Sequence, residues 1–212
     1  MPRPKSLTLP QVAAAALAVI DRDGLAALTM RAVAAELGMA TMSLYRYVAD
    51  RDALERLVVE RVLGRVDTSP PPGVPWDRQV AALMERVWAA VGAHPEVVPL
   101  TMAHRHASHS LLRWSESVLT VLTGAGFDGE RRVIALRALL SHVIGALQTE
   151  HLSPLPGSGT AAMAGLPHEE FPLLAETASA ARRIAPGEEF RGGLALLLRG
   201  LRAPHEGAPV SR

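Results

Sequence analysis

Cysteine is absent from this 212-residue sequence, which excludes disulfides and thiolate chemistry and fits a reducing cytoplasm. An excess of one charge sign is lacking too. Twenty-two Lys and Arg stand against 21 Asp and Glu, a net charge of +1, so the molecule as a whole is no general polyanion binder and any affinity for nucleic acid must be local. Neither a charged-then-apolar leader nor an unbroken apolar run of membrane length appears, and a cytoplasmic protein with no membrane partner is expected. No Ser-His-Asp order, glycine-rich phosphate loop or paired-carboxylate signature is visible, so neither catalysis nor a cofactor is expected. Strict polar-apolar alternation is never long enough for a strand, and the fold class is read as all-α.

What is present is apolar residue, 49% of the chain, ample for a core at this length. The densest information lies in residues 28–54, LTMRAVAAELGMATMSLYRYVADRDAL. Thr29 is placed to cap a helix whose apolar face carries Met30, Val33, Ala34 and Leu37 at i, i+3, i+4 and i+7. Gly38 suits a left-handed helix end, and Thr41 can cap a new helix three residues later. The spacing predicts helix, tight turn, helix. In the second helix only Leu44 and Val48 share an inward face, leaving Met42, Ser43, Tyr45, Arg46 and Tyr47 outside. Hydroxyl and guanidinium groups at Thr41, Ser43, Tyr45, Arg46 and Tyr47 are what a helix needs to meet phosphate oxygens and base edges in a major groove. The alternative is a helical hairpin at a domain edge with two exposed tyrosines.

The flanks support the same organisation. Residues 1–7 are short, basic and proline-containing, either a frayed start or an arm toward DNA. Thr8 and Gln11 make a capping-box pair, and Val12, Ala15, Ala16, Val19 and Ile20 mark one face of a first helix closed by Gly24. Leu54, Leu57, Val58 and Val62 mark a further helix ended by Gly64 and a proline-rich stretch. From residue 1 to 51 six cations (Arg3, Lys5, Arg22, Arg31, Arg46, Arg51) face four anions (Asp21, Asp23, Glu36, Asp50), a small local excess.

Residues 8–63 resemble the N-terminal domain of the tetracycline repressor (TetR) family. The carriers are a first helix at 12–20, a threonine-headed second helix at 29–37, a glycine turn at 38–41, the LYxxV recognition helix at 44–48, and a basic residue heading the next helix at Arg51-Asp52-Ala53-Leu54. Tyr47 stands where the family usually has histidine and Arg51 where it usually has lysine; both can still donate to a phosphate. The resemblance implies a three-helix helix-turn-helix domain followed by a larger helical ligand-binding and dimerisation domain. It also implies a repressor that leaves a pseudo-palindromic double-stranded DNA operator when a small-molecule effector binds. Arg31, Thr41, Met42, Ser43 and Arg46 would then read base edges, and Thr29, Tyr45, Tyr47 and Arg51 would hold phosphates.

Beyond the proline-rich stretch the pattern is helical throughout, clearest at 76–93, 111–123, 130–151 and 188–201. Residues 133–147 are apolar nearly all round, and Phe190, Leu194, Leu197, Leu198 and Leu201 form a second stripe. Two such helices from each of two chains would make a four-helix interface in a homodimer; alternatively both line a monomer core. Residues 153–168, rich in Pro, Gly, Ser and Ala, read as a flexible loop. GAGF at 124–127, the run Ser141-His142-Val143-Ile144-Gly145-Ala146, Glu170-Phe171-Pro172 and FRGGLALLLRGL at 190–201 resemble the C-terminal domain of the tetracycline-repressor subgroup. The domains expected are 1–66 for DNA binding, 67–76 as linker, 77–205 for ligand and dimer, and 206–212 as a disordered tail.

Trp88, Met102, Trp114, Leu122, Leu139, Val143, Leu147 and Phe171 are candidates to surround an effector, with His106, His142 and Gln148 as polar handles, though such a list is also what a core looks like. The glutamine that a tetracycline site would need has no counterpart, Val118 or a neighbour falling there, so tetracycline is not the expected ligand. His104, His106 and His109 have no recognised zinc spacing and no acidic ligand within the run, and no metal site is expected. Two rival readings stay open: a helical metal protein or enzyme built on those three histidines, and a small-molecule carrier without DNA binding.

Overall fold

Gln11 Oε1 accepts from the Thr8 amide at 2.9 Å and from its hydroxyl at 3.0 Å, fastening the start of α1 (Leu9–Asp23). The helix buries Val12, Ala16, Val19 and Ile20 and stops at Gly24, whose φ of 83° few other residues adopt. A 3-10 turn, Leu25–Ala27, follows. Thr29 Oγ1 then accepts from the Ala32 amide at 3.1 Å, capping α2 (Met30–Glu36) as its sequence position predicts. At the far end Met39 N–H reaches Ala34 O at 2.9 Å and Gly38 N–H reaches Ala35 O at 3.0 Å, the paired bonds of a Schellman turn around Gly38 at φ 66°.

The next helix begins one residue earlier than expected. Ala40, extended at φ −69° and ψ 140°, is its cap and already accepts from Ser43 N–H, so Thr41 is the first helical residue of α3 (Thr41–Leu44) and not its cap. Regular helix ends at Leu44, and a turn closed by Tyr47 N–H and Val48 N–H on Leu44 O carries the chain on. Asp50 Oδ1 accepts from Ala53 N–H at 2.8 Å and starts α4 (Arg51–Leu63).

The remaining helices are α5 (Trp76–Gly92), α6 (Val98–His104) after a 3-10 turn at Pro95–Val97, α7 (His109–Gly124), α8 (Gly129–Leu152), α9 (Ser158–Ala164), α10 (Pro172–Ala181) and α11 (Pro186–Arg202). This computed structural model describes residues 7–202, and among them there is no strand. The expected 206–212 tail and the basic start, residues 1–6, lie outside the described residues. No described helix is long and apolar enough to cross a membrane. The loop expected at 153–168 is corrected by α9: Gly157 caps it, Thr160 to Ala164 supply helix-forming Ala and Met, and Thr160 is buried.

The chain divides into two compact units, residues up to Pro70 with Leu83–Thr120, and Pro71–Ala82 with the residues from Val121 on. In the first, α4 packs on α1 and α6, and α2 on α1 and α3. Trp114 is buried there, its indole N–H donating to Leu83 O at 2.8 Å. In the second, α8 packs on α11 and α9 on α10. Its core takes Ala135, Leu139, Val143 and Leu147 from α8 and Phe190, Leu194 and Leu198 from α11. Phe127 is buried against the edge of Trp76 and under the Arg131 guanidinium, 4.2 Å from its ring centre.

The α8–α11 contact depends on one glycine. His142 stacks on Phe190, with Nε2 3.0 Å from Phe190 O, and a Cβ at position 193 would fall 2.6 Å from His142 Cε1. Gly193→Ala is expected to lower stability by about 1–3 kcal/mol through overpacking, read by thermal unfolding. His142→Ala in the same chain should return most of that loss.

Candidate functional site

Leu44 is fully buried and Val48 nearly so, and between them they turn the opposite side of the α3 segment outward. Met42 is 77% exposed and Tyr45 46% exposed, Arg46 is exposed, and Thr41, Ser43 and Tyr47 are half-buried. Arg31 is exposed on α2. Thr29 is exposed as well, and its capping bond uses an oxygen lone pair, which leaves the O–H able to donate. The side chains read from the sequence as a DNA-facing set are thus exposed or half-buried, and no described hydrogen bond occupies those of Arg31, Tyr45, Arg46 or Tyr47. Arg51 is different: its Nε lies 2.9 Å from Glu55 Oε1 and its Nη2 3.4 Å from Leu25 O, so it is tethered and only part of its fork faces solvent.

Behind this face, polar bonds fasten the helix-turn-helix region to the rest of the first unit. His94 Nδ1 stands 2.9 and 3.0 Å from the two Asp21 oxygens at the end of α1. Glu96 Oε2 accepts from Leu25 N–H at 3.4 Å. His104 Nε2 lies 3.0 Å from Glu55 Oε2 on α4. Glu60, further along α4, accepts from Ser110 Oγ at 2.7 Å and Ser110 N–H at 3.3 Å at the head of α7. Burial acts to raise the Glu60 carboxyl, but hydrogen bonds from Ser108 and Ser110 outweigh it and hold the group below the ordinary carboxylate range. Burial likewise acts to raise the Glu55 carboxyl, but bonds from His104 and Arg51 outweigh it and hold the group below the ordinary carboxylate range.

Sequence reading missed these fasteners. Their partners lie 49 to 73 positions apart, and nothing local marks them. The histidine run also disperses: among the described residues the one group of three possible metal ligands is Asp52, Glu55 and His104, which leaves out His106 and His109, both exposed.

The effector candidates fall in both units. In the first, Trp114 is buried, Trp88 and Met102 are half-buried, and His106 is exposed beyond α6. In the second, Leu122, Leu139, Val143 and Leu147 are buried, His142 is held by Phe190 O, and Gln148 and Phe171 are exposed. A depression of about 220 Å³ beside Leu63, Ser110 and Arg113 shares no residue with that set.

A family model described as "Bacterial regulatory proteins, tetR family" matches residues 12–56, and one described as "Tetracyclin repressor-like, C-terminal domain" matches residues 69–204. The chain belongs to the TetR family. Among TetR relatives, the HTH-type transcriptional repressor DrrR1 of Streptomyces coeruleorubidus is 33% identical over 70% of this chain. An HTH-type transcriptional regulator of Saccharopolyspora erythraea is 32% identical over 68%. The matches span 55% and 61% of the length of those two proteins. Among solved structures, apo ActR of Streptomyces coelicolor is 25% identical, with a TM-score of 0.78 over 94% of this chain and 96% of its own. The same TetR protein has been solved in complex with actinorhodin, with 25% identity, a TM-score of 0.78 and coverage of 93% and 96%.

A depressed carboxyl stabilises the fold above the ordinary carboxylate pKa, and that stability is lost as pH falls through the lowered value. Thermal melts of Glu60→Gln should therefore lie below wild type at pH 7 and converge with it between about pH 5 and pH 3. A constant gap across that range would show that the Glu60 charge adds nothing.

Proposed function

We propose that this TetR-family chain is a ligand-responsive transcriptional regulator of the cytoplasm, a repressor and not an enzyme. Its homodimer sets one α3 segment in each of two successive major grooves of a pseudo-palindromic operator. The observation that carries this reading is the outward face of α3: Met42, Tyr45 and Arg46 stand exposed over the buried pair Leu44 and Val48. Arg31, Thr41, Met42, Ser43 and Arg46 contact base edges in this reading, while Thr29, Tyr45, Tyr47 and Arg51 hold phosphates. Half-site readers of this kind work when their recognition segments are about 34–36 Å apart, one turn of DNA.

The domain limits proposed from the sequence, 1–66, 67–76 and 77–205, give α1–α4 to DNA and the later helices to effector and partner. Exposed Val133 and Ile134 on α8 and Leu196 on α11 are apolar groups that a second copy would cover. The candidates to hold a small-molecule effector are Trp88, Met102, His106 and Trp114 in the first unit and Leu122, Leu139, His142, Val143, Leu147, Gln148 and Phe171 in the second, and its binding would release DNA by favouring another separation of the two segments. The actinorhodin complex of ActR supports an effector of that general kind. Coupling of about 1–3 kcal/mol between the two sites is enough to change operator occupancy several-fold or more.

Arg31→Ala is expected to weaken operator binding by about 1–3 kcal/mol and to blur sequence preference, whereas Arg51→Ala weakens binding to operator and random duplex alike and flattens the salt dependence. Anisotropy titrations at two salt concentrations read both. Equal losses on the two DNAs for Arg31→Ala would remove its base-reading role. Ile134→Glu should yield a monomer by light scattering and lose the operator; a dimer of unchanged affinity would rule out the α8 face as the interface.

A further inference from the structure

The junction of α4 and α6 holds a donor set that DNA binding does not use. Asp52 and Glu55 stand three residues apart, hence on one face of α4, and His104 closes the end of α6 over them. His104 Nε2 is 3.0 Å from Glu55 Oε2 and 3.9 Å from Asp52 Oδ1, and the three donor atoms lie within 4.8 Å of one another. A tetrahedral shell with bonds of about 2.0–2.1 Å spaces its donors about 3.3 Å apart, a separation these side chains reach with small rotations. The Asp52 distance is too long for a hydrogen bond, so the aspartate is turned toward the imidazole without being bonded to it.

The second oxygen of each carboxylate is held elsewhere. Glu55 Oε1 pairs with Arg51 Nε at 2.9 Å, and Asp52 Oδ2 pairs with Arg56 Nη1. Each carboxylate thus gives one oxygen to an arginine four positions along α4 and presents the other to His104. Partners that orient ligands from behind in this way are a regular part of metal sites. The two guanidinium groups also offset the two carboxylate charges, which points to moderate affinity. One imidazole with two carboxylates suits zinc-like ions better than magnesium or calcium, which take oxygen ligands. His104 is largely buried and Glu55 half-buried, while Asp52 is exposed and leaves a way in from solvent.

We propose that Asp52, Glu55 and His104 bind one divalent transition-metal ion of the zinc type, with water completing its shell. The ion ties α4, the helix that follows the recognition segment, to the end of α6.

The test uses the full chain, free of any histidine tag and stripped by chelator, titrated with Zn²⁺ by calorimetry and with Co²⁺ by visible absorption. One ion per chain at micromolar affinity is expected. His104→Ala and Glu55→Gln should each weaken it at least tenfold, and His106→Ala and His109→Ala should leave it within twofold. Circular dichroism checks helix content. Asp52→Asn alters only an exposed side chain, so it decides the matter if the His104 variant loses helix, and it should also weaken Zn²⁺ about tenfold. Zn²⁺ affinity unchanged by Asp52→Asn and Glu55→Gln, losses just as large for His106→Ala, or no binding in the micromolar range would each overturn the site. None of these readouts involves DNA, so a negative result leaves the operator reading standing.

Discussion

Four residues of regular helix cannot hold themselves in water, because nucleating a helix fixes several residues before its hydrogen bonds repay the cost. Burial of Leu44 and Val48 is therefore the constraint on which the presented face of this protein rests. With those two side chains in the core, the angle of Met42, Tyr45 and Arg46 is set by packing and not by propensity. The Schellman turn at Gly38 sets the entry to the segment and Asp50 begins the helix that follows it. Everything exposed between them is free to be chosen for recognition, since stability is supplied from behind.

The fastening of that region is mixed in kind. Apolar burial along α1 and α4 is large and indifferent to pH, as Val12, Ile20, Leu54 and Val58 illustrate. Asp21–His94, Glu55–His104 and Glu60–Ser110 are different: they join helices through charged groups that are partly wet. The two partly exposed histidine–carboxylate pairs add little stability, while Glu55–His104 and Glu60–Ser110 also fix where α4 meets α6 and α7.

Features with local causes were legible in the sequence. The Thr29 cap, the left-handed Gly38, the inward pair Leu44 and Val48, and the long helices near 76–93 and 130–151 all follow from residue spacing and appear with ends shifted by a residue or two. Thr41 was misplaced by one position because its neighbour Ala40 makes the capping bond with its own backbone, which no side-chain signal reveals. Helix α9 was hidden by the glycines and prolines around it, although its interior is helix-forming. The fasteners on α4 were invisible for another reason: Glu55 and Glu60 look like ordinary solvent-facing residues until the chain returns some fifty positions later. The histidine run misled in a related way, since side chains close in sequence point to different places once α6 ends at His104.

The α8–α11 contact carries an implication for how this protein can change over generations. With an imidazole at position 142, a side chain at 193 must displace the ring from its seat beside Phe190. A replacement at 193 is therefore best tolerated where 142 has already become smaller.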